Sequence, residues 1–134
     1  MIMTVYKRRE FRVGDLVTLN QTKLRDIPAS LVSFVLSNVG KIVTRFRIVE
    51  ADNGLARIKH TSTAEEFSVP VSILVASYRN QGKGKKAVVN INGCEVVGDL
   101  IKFQYYKKGK LKKENGEVIR FNSSKNNLGF IEKI

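Results

Sequence analysis

Cysteine and histidine each occur once, as Cys94 and His60. A lone cysteine excludes an intramolecular disulfide and fits a reducing compartment. A zinc site of the Cys/His kind needs about four such ligands, and only these two exist. No spacing matches a calcium-binding loop. Gly82-Lys83-Gly84-Lys85 lacks the full phosphate-loop pattern and the strand that should precede it. No metal and no cofactor are therefore expected. Glu65 and Glu66 are adjacent, so on a strand they face opposite sides and make no catalytic pair. Asp15 and Asp99 read as turn residues, and Cys94 as a buried thiol. The chain has no arrangement for nucleophilic or acid–base catalysis, and a non-enzyme is expected. No apolar run reaches the roughly eighteen residues of a membrane span. Lys7, Arg8 and Arg9 follow a short apolar patch instead of preceding a long one, unlike a secretory leader. A cytoplasmic protein with no membrane partner is expected.

Acidic residues are also scarce. There are 12 against 24 Lys and Arg, a formal charge of +12 on 134 residues. Solubility alone asks for a net charge of about 2–8. A surplus of this size draws polyanions and speeds their capture. The apolar fraction of 43% is enough for a modest core, so wholesale disorder is not expected.

Three pairs of segments echo one another in the same order. Arg12-Val13-Gly14-Asp15-Leu16-Val17-Thr18-Leu19 parallels Val96-Val97-Gly98-Asp99-Leu100-Ile101-Lys102-Phe103. Gly40–Phe46 parallels Gly116–Phe121, and Gly54–Lys59 parallels Leu128–Lys133 more faintly. A duplicated β module is expected, with Gly14 and Gly98 at equivalent turns that launch strands. Asp52-Asn53-Gly54, Asn92-Gly93 and Asn115-Gly116 each sit where a hairpin should turn. One helix is expected over Ile27–Leu36, within an insertion at about 26–38. Asp26 would cap it and Pro28 would lie in its first turn. Ile27, Leu31, Phe34 and Val35 share one face; its role would be to plug a barrel end. Val32 and Leu36 leave a second apolar face. The segment 81–86, with glycines and lysines and no apolar residue from Gly82 to Lys86, reads as a basic flexible linker. The expected organisation is thus a β module at 1–80 with a helical insertion, the linker at 81–86, and a second β module at 87–134.

The basic residues fall into four groups. Lys102, Tyr106, Lys107, Lys108, Lys110, Lys112 and Lys113 surround a lysine-rich loop. There the lysines would neutralise phosphates and an outward Tyr106 would stack on a base. Lys83, Lys85 and Lys86 lie in the linker. Arg45, Arg47, Arg57 and Lys59 alternate on neighbouring strands and would form a stripe. Lys7, Arg8 and Arg9 would form a short arm. None of these spells a base-reading code, so little sequence selectivity is expected. Aromatics are only 8%, which favours duplex DNA over single strands, since single-strand binders show more exposed rings.

Val97, Gly98-Asp99, Ile101, Phe103, Lys108-Gly109 and Gly116-Glu117-Val118 resemble the KOW motif and its SH3-like barrel. Val13, Gly14-Asp15, Val17, Leu19 and Gly40-Lys41-Ile42 match it in the first half, with the loop replaced by the helical insertion. The resemblance implies a mainly β fold of two tandem small SH3-like barrels. It also implies nucleic acid, or the machinery that handles it, as partner; beside the DNA favoured by the low aromatic content, the alternatives are an RNA-binding KOW protein or an adaptor docking on RNA polymerase or a ribosome. In size, charge and motif the chain further resembles the MotB type of T4-like phage transcription modulators. For such a protein the host cytoplasm or nucleoid would be the location and transcription the process.

Overall fold

A computed structural model describes residues 4–37, 45–78, 84–104 and 108–134. These residues are mainly β, with one α-helix. They form two compact units. One is Phe11–Val75; the other runs from Ala76 to Ile134 and takes in the N-terminal stretch up to Glu10. The short strand β1 (Tyr6–Arg8) explains that second grouping, because it pairs with the last strand of the chain, as described below.

In the Phe11–Val75 unit, β2 (Leu16–Leu19), β3 (Phe46–Asp52), β4 (Leu55–His60), β5 (Glu66–Pro70) and β6 (Leu74–Ala76) form a sheet in the order β5-β4-β3-β2-β6. Its alternation is read straight from the residues. Along β4, Ala56, Ile58 and His60 are buried while Leu55, Arg57 and Lys59 are exposed, as a period of two requires. The β3–β4 hairpin turns at Asn53 and Gly54, with φ of 45° and 81°; positive φ at both central residues suits Asn-Gly. Gly14 is likewise at positive φ in a turn that Asp15 closes, its Oδ2 accepting from the Arg12 amide at 2.8 Å.

The helix α1 (Ala29–Ser37) starts two residues later than expected, with the Pro28 carbonyl accepting from the amides of Leu31 and Val32. The residues just before it, Gln21–Asp26, form 3-10 turns. Of the expected face, Ile27, Leu31 and Phe34 are buried, whereas Val35 is only half-buried. The Phe34 ring lies 4.9 Å from His60, 5.2 Å from Phe67 and 6.3 Å from Phe46. The helix therefore covers the inner face of β3-β4-β5.

The other unit contains β7 (Lys86–Ile91), β8 (Cys94–Gln104), β9 (Lys108–Lys112), β10 (Val118–Asn122) and β11 (Asn127–Gly129), in the order β10-β9-β8-β7-β11. A separate pair joins β1 to β12 (Ile131–Lys133). Asn92-Gly93 turns the β7–β8 hairpin with φ of 51° and 84°. Gly116 turns the β9–β10 hairpin. Ala87, Val88, Val89, Leu100, Phe103, Leu111, Phe121 and Leu128 make the core. Tyr78 belongs to it, with its hydroxyl 3.3 Å from the Gly129 carbonyl and its ring against Phe103 and Phe130.

The two five-stranded sheets share one strand order, but not in the register that the sequence echoes gave. By position β2 matches β7 and β3 matches β8, whereas the first echo equates β2 with β8. Of the second echo, 40–44 lie outside the described residues and only its end, at Phe46 in β3, is set against β10; the third sets β4 against β11 and β12. Each falls on strands that are not equivalent. The physical reason is plain at Gly98. It is not in a turn but inside β8, buried, where a Cβ would come within 2.9 Å of the Leu111 side chain. Val-Gly-Asp-Leu thus begins a strand in one sheet and is crossed by a strand in the other. Asp99 is correspondingly a strand residue. The helix also changes counterpart, since α1 occupies the β2–β3 connection, whose equivalent is the two-residue turn Asn92-Gly93.

Among the described residues the pairing gives three sheets and no closed barrel. Cys94, expected inside, is exposed beside its hairpin turn. Part of the 81–86 segment lies outside the described residues; its last residue, Lys86, is already paired in β7.

Candidate nucleic-acid interface

The outer face of β8-β9-β10 is built by cross-strand register. Lys102 is opposite Lys110, and Lys110 is opposite Arg120. Directly opposed residues of antiparallel strands share a face, so three cations stand in a row across three strands. Two residues further along, Lys108 stands opposite Asn122, in the next row of the same face. On the reverse face Leu100 is opposite Leu111, and Phe103 is opposite Gly109, which is opposite Phe121. A side chain on Gly109 would collide with the Phe121 ring, and the rings of Phe103 and Phe121 stack at 6.2 Å. Core packing therefore fixes the register that aligns the cations.

These residues border an open groove of about 540 Å³, lined by Lys102, Lys108, Lys110, Arg120, Asn122 and Asn126 together with Gly109 and Phe121. No carboxylate lines it. None of its four cations forms an ion pair with a described residue. Like charges directly opposed on a sheet are destabilising, so this row costs stability that no acid among the described residues beside it offsets.

Several of the other basic residues do have partners. Arg57 lies between Glu50 at 3.1 Å and Glu66 at 3.2 Å, and Lys59 faces Glu66 across β4 and β5. Arg47 donates to the Gly14 carbonyl at 2.7 Å, and Arg45 is half-buried just before β3. The expected stripe of the first half is thus a face of mixed charge. Lys113 pairs with Glu117 at 3.4 Å. Lys86 pairs with Asp99 at 2.9 Å, and this hydrogen bond holds its ammonium above the ordinary lysine range. Lys85 lies 5.8 Å from the centre of the Tyr78 ring. Lys112 is exposed opposite Asp99 and Val118, one row beyond the groove.

Lys7, Arg8 and Arg9 do not form an arm. Lys7 and Arg8 are in β1, paired with Glu132 and Ile131. Arg8 Nε lies 3.2 Å from Glu95, out of line for a hydrogen bond, and the Arg9 guanidinium sits 4.7 Å from the centre of the Phe130 ring. Lys83, Tyr106 and Lys107 lie outside the described residues. His60 is buried and its Nδ1 accepts from the amides of Ser62 and Thr63, a structural role that fixes a turn. Among the described residues no three His, Cys, Asp or Glu side chains converge.

Of the candidates drawn from sequence, the groove gathers Lys102, Lys108 and Lys110. It adds Arg120, Asn122 and Asn126. The signal for two of these was present: folding the chain at Asn115 sets 110 against 120 and 108 against 122. No helix is long and apolar enough to cross a membrane among the described residues. Comparison with known protein families and with curated proteins found no match.

Proposed function

We propose that this protein binds nucleic acid, duplex DNA foremost, through the outer face of β8-β9-β10, and that it modulates transcription without catalysing a reaction. The observation that carries this reading is the unopposed row Lys102, Lys110 and Arg120, with Lys108 beside it in one groove free of carboxylates. Phosphate oxygens are the partners such a row lacks. Lysines act there as point charges and Arg120 as a fork for two oxygens. The face offers no base-reading pattern, so affinity exceeds sequence selectivity. The common strand order, a four-strand meander with a fifth strand beside its first, supports reading each unit as an SH3-like module of the KOW type.

Titration against duplex DNA, single strands and structured RNA across salt tests this. Release of counterions from about 4–6 phosphates gives a log–log slope of roughly −4 to −5 on duplex. Arg120→Ala should weaken duplex binding for all sequences alike. An affinity for duplex that is insensitive to salt would sink the proposal.

A second reading has one observation in its favour. Leu36 is 69% exposed on α1, beside half-buried Val32 and Val35. As an adaptor on RNA polymerase or a ribosome, the protein would recover one of these after nuclease treatment, and Leu36→Asp would abolish the recovery.

A further inference from the structure

The groove has the features of an end site, an inference that rests on the nucleic-acid reading above. Its volume of about 540 Å³ falls within the roughly 300–1,000 Å³ of small-ligand sites. It is also walled. β10 lies at one edge of the sheet and β11 at the other, so the turn between Asn122 and Asn127 crosses the sheet's end beside Lys108. That turn is pinned. Asn126 donates from Nδ2 to the Asn90 carbonyl at 3.3 Å, and its Oδ1 accepts from the Asn122 amide at 3.1 Å. Asn122 Oδ1 accepts from the Ser124 amide at 3.0 Å and hydroxyl at 2.7 Å. These bonds orient the Asn122 carboxamide. They leave its Nδ2 as a donor with no partner among the described residues. Asp99, the acid nearest this face in register, stands one row beyond the cations at the other end and is held by Lys86.

The open side of the groove admits a passing backbone, whereas its walled end suits a terminus. The charge differs too. A passing strand brings one negative charge per nucleotide, but a terminal oligophosphate sets several on neighbouring phosphorus atoms. Four cations around one hollow match the second distribution better. We propose that the groove binds an oligophosphate ester: the polyphosphate of a nucleotide, or the 5′-polyphosphate end of a polynucleotide. Lys102, Lys110 and Arg120 hold the charge, and Lys108 with Asn122 Nδ2 meets it at the wall.

The test compares one short oligonucleotide carrying a 5′-triphosphate or a 5′-hydroxyl, alongside tripolyphosphate and magnesium-free ATP, on the full chain by fluorescence anisotropy and calorimetry. The triphosphate end should bind at least about tenfold tighter than the hydroxyl end, a difference of about 1.4 kcal/mol. Arg120→Ala and Lys110→Ala should each erase that preference, and Lys133→Ala, on the exposed end of β12, should retain it. Should ATP and tripolyphosphate bind one to one as tightly as the triphosphate end, the ligand is the free nucleotide; should only the oligonucleotide end bind tightly, it is the polynucleotide terminus. Equal affinity for both oligonucleotides, with no binding of ATP or tripolyphosphate, overturns the end site and leaves general nucleic-acid binding intact. Failure of duplex and both oligonucleotides at low salt overturns the nucleic-acid reading instead. Even then, tripolyphosphate binding that Arg120→Ala abolishes would uphold the site.

Discussion

Single residues decide where the basic face lies, and two of them have no charge. Gly98 and Gly109 sit inside strands where a Cβ has no room. At Gly98 the obstruction is the Lys112 carbonyl at 2.5 Å and the Leu111 side chain at 2.9 Å. Backbone cannot yield as a flexible side chain can, so Gly98→Ala should destabilise by about 1–3 kcal/mol through overpacking. A fall in the urea midpoint checks this; an unchanged midpoint would mean that the strands separate freely there. Lys86 makes a second residue-scale prediction. Its pKa is raised by the hydrogen bond to Asp99. A raised lysine pKa stabilises the fold fully below the unfolded value of about 10.4, and that contribution is lost as pH rises through the folded value. Asp99→Asn should remove this dependence. The pair is partly exposed, so the change in unfolding free energy should be modest, about 0.2–1 kcal/mol. Comparing the two proteins in urea at neutral pH and at a pH above the lysine titration reads it directly.

At the scale of elements, the helix tests whether packing or propensity holds it. α1 has nine residues, too few to be stable alone in water. Its stability comes from Phe34, which is 8% exposed among Phe46, His60 and Phe67. Phe34→Ala should cost about 3–5 kcal/mol, while exposed Leu36→Ala should stay within about 0.5 kcal/mol. Equal effects would mean that the helix does not dock by this face. Hairpins were legible in the sequence because Asn53-Gly54 and Asn92-Gly93 demand positive φ locally. The helix was legible from the spacing of Ile27, Leu31 and Phe34. The repeat register was not, because Val-Gly-Asp-Leu serves a turn at Gly14 and a close strand approach at Gly98. Those two demands on glycine are indistinguishable in sequence. Pairing of β1 with β12 was equally hidden: no local pattern tells Lys7-Arg8-Arg9 that its partner lies more than a hundred residues away. For the site, Lys102, Lys108 and Lys110 could be read from a basic run. Arg120 stands alone in sequence and joins them only through register.

For the whole molecule the open question is whether the +12 charge acts as a diffuse field or through one face. Both five-stranded sheets carry three cations in neighbouring strands. Arg47, Arg57 and Lys59 stand among Glu50 and Glu66 on one; Lys102, Lys110 and Arg120 have no acid among them on the other. Two triple alanine variants, one for each set, remove the same net charge. A diffuse field loses equally in both, because steering depends on total charge at distances near the Debye length. A binding face does not, because only cations that touch phosphates release counterions. The Lys102/Lys110/Arg120 variant should therefore flatten the duplex salt slope by up to about 2.7, at about 0.9 per contact. The Arg47/Arg57/Lys59 variant should slow association at low salt yet keep the slope. If both variants shifted the slope alike, the face would be no more than part of a uniformly basic surface. If only the first did, the unmatched row across β8, β9 and β10 would be where this protein meets its phosphates.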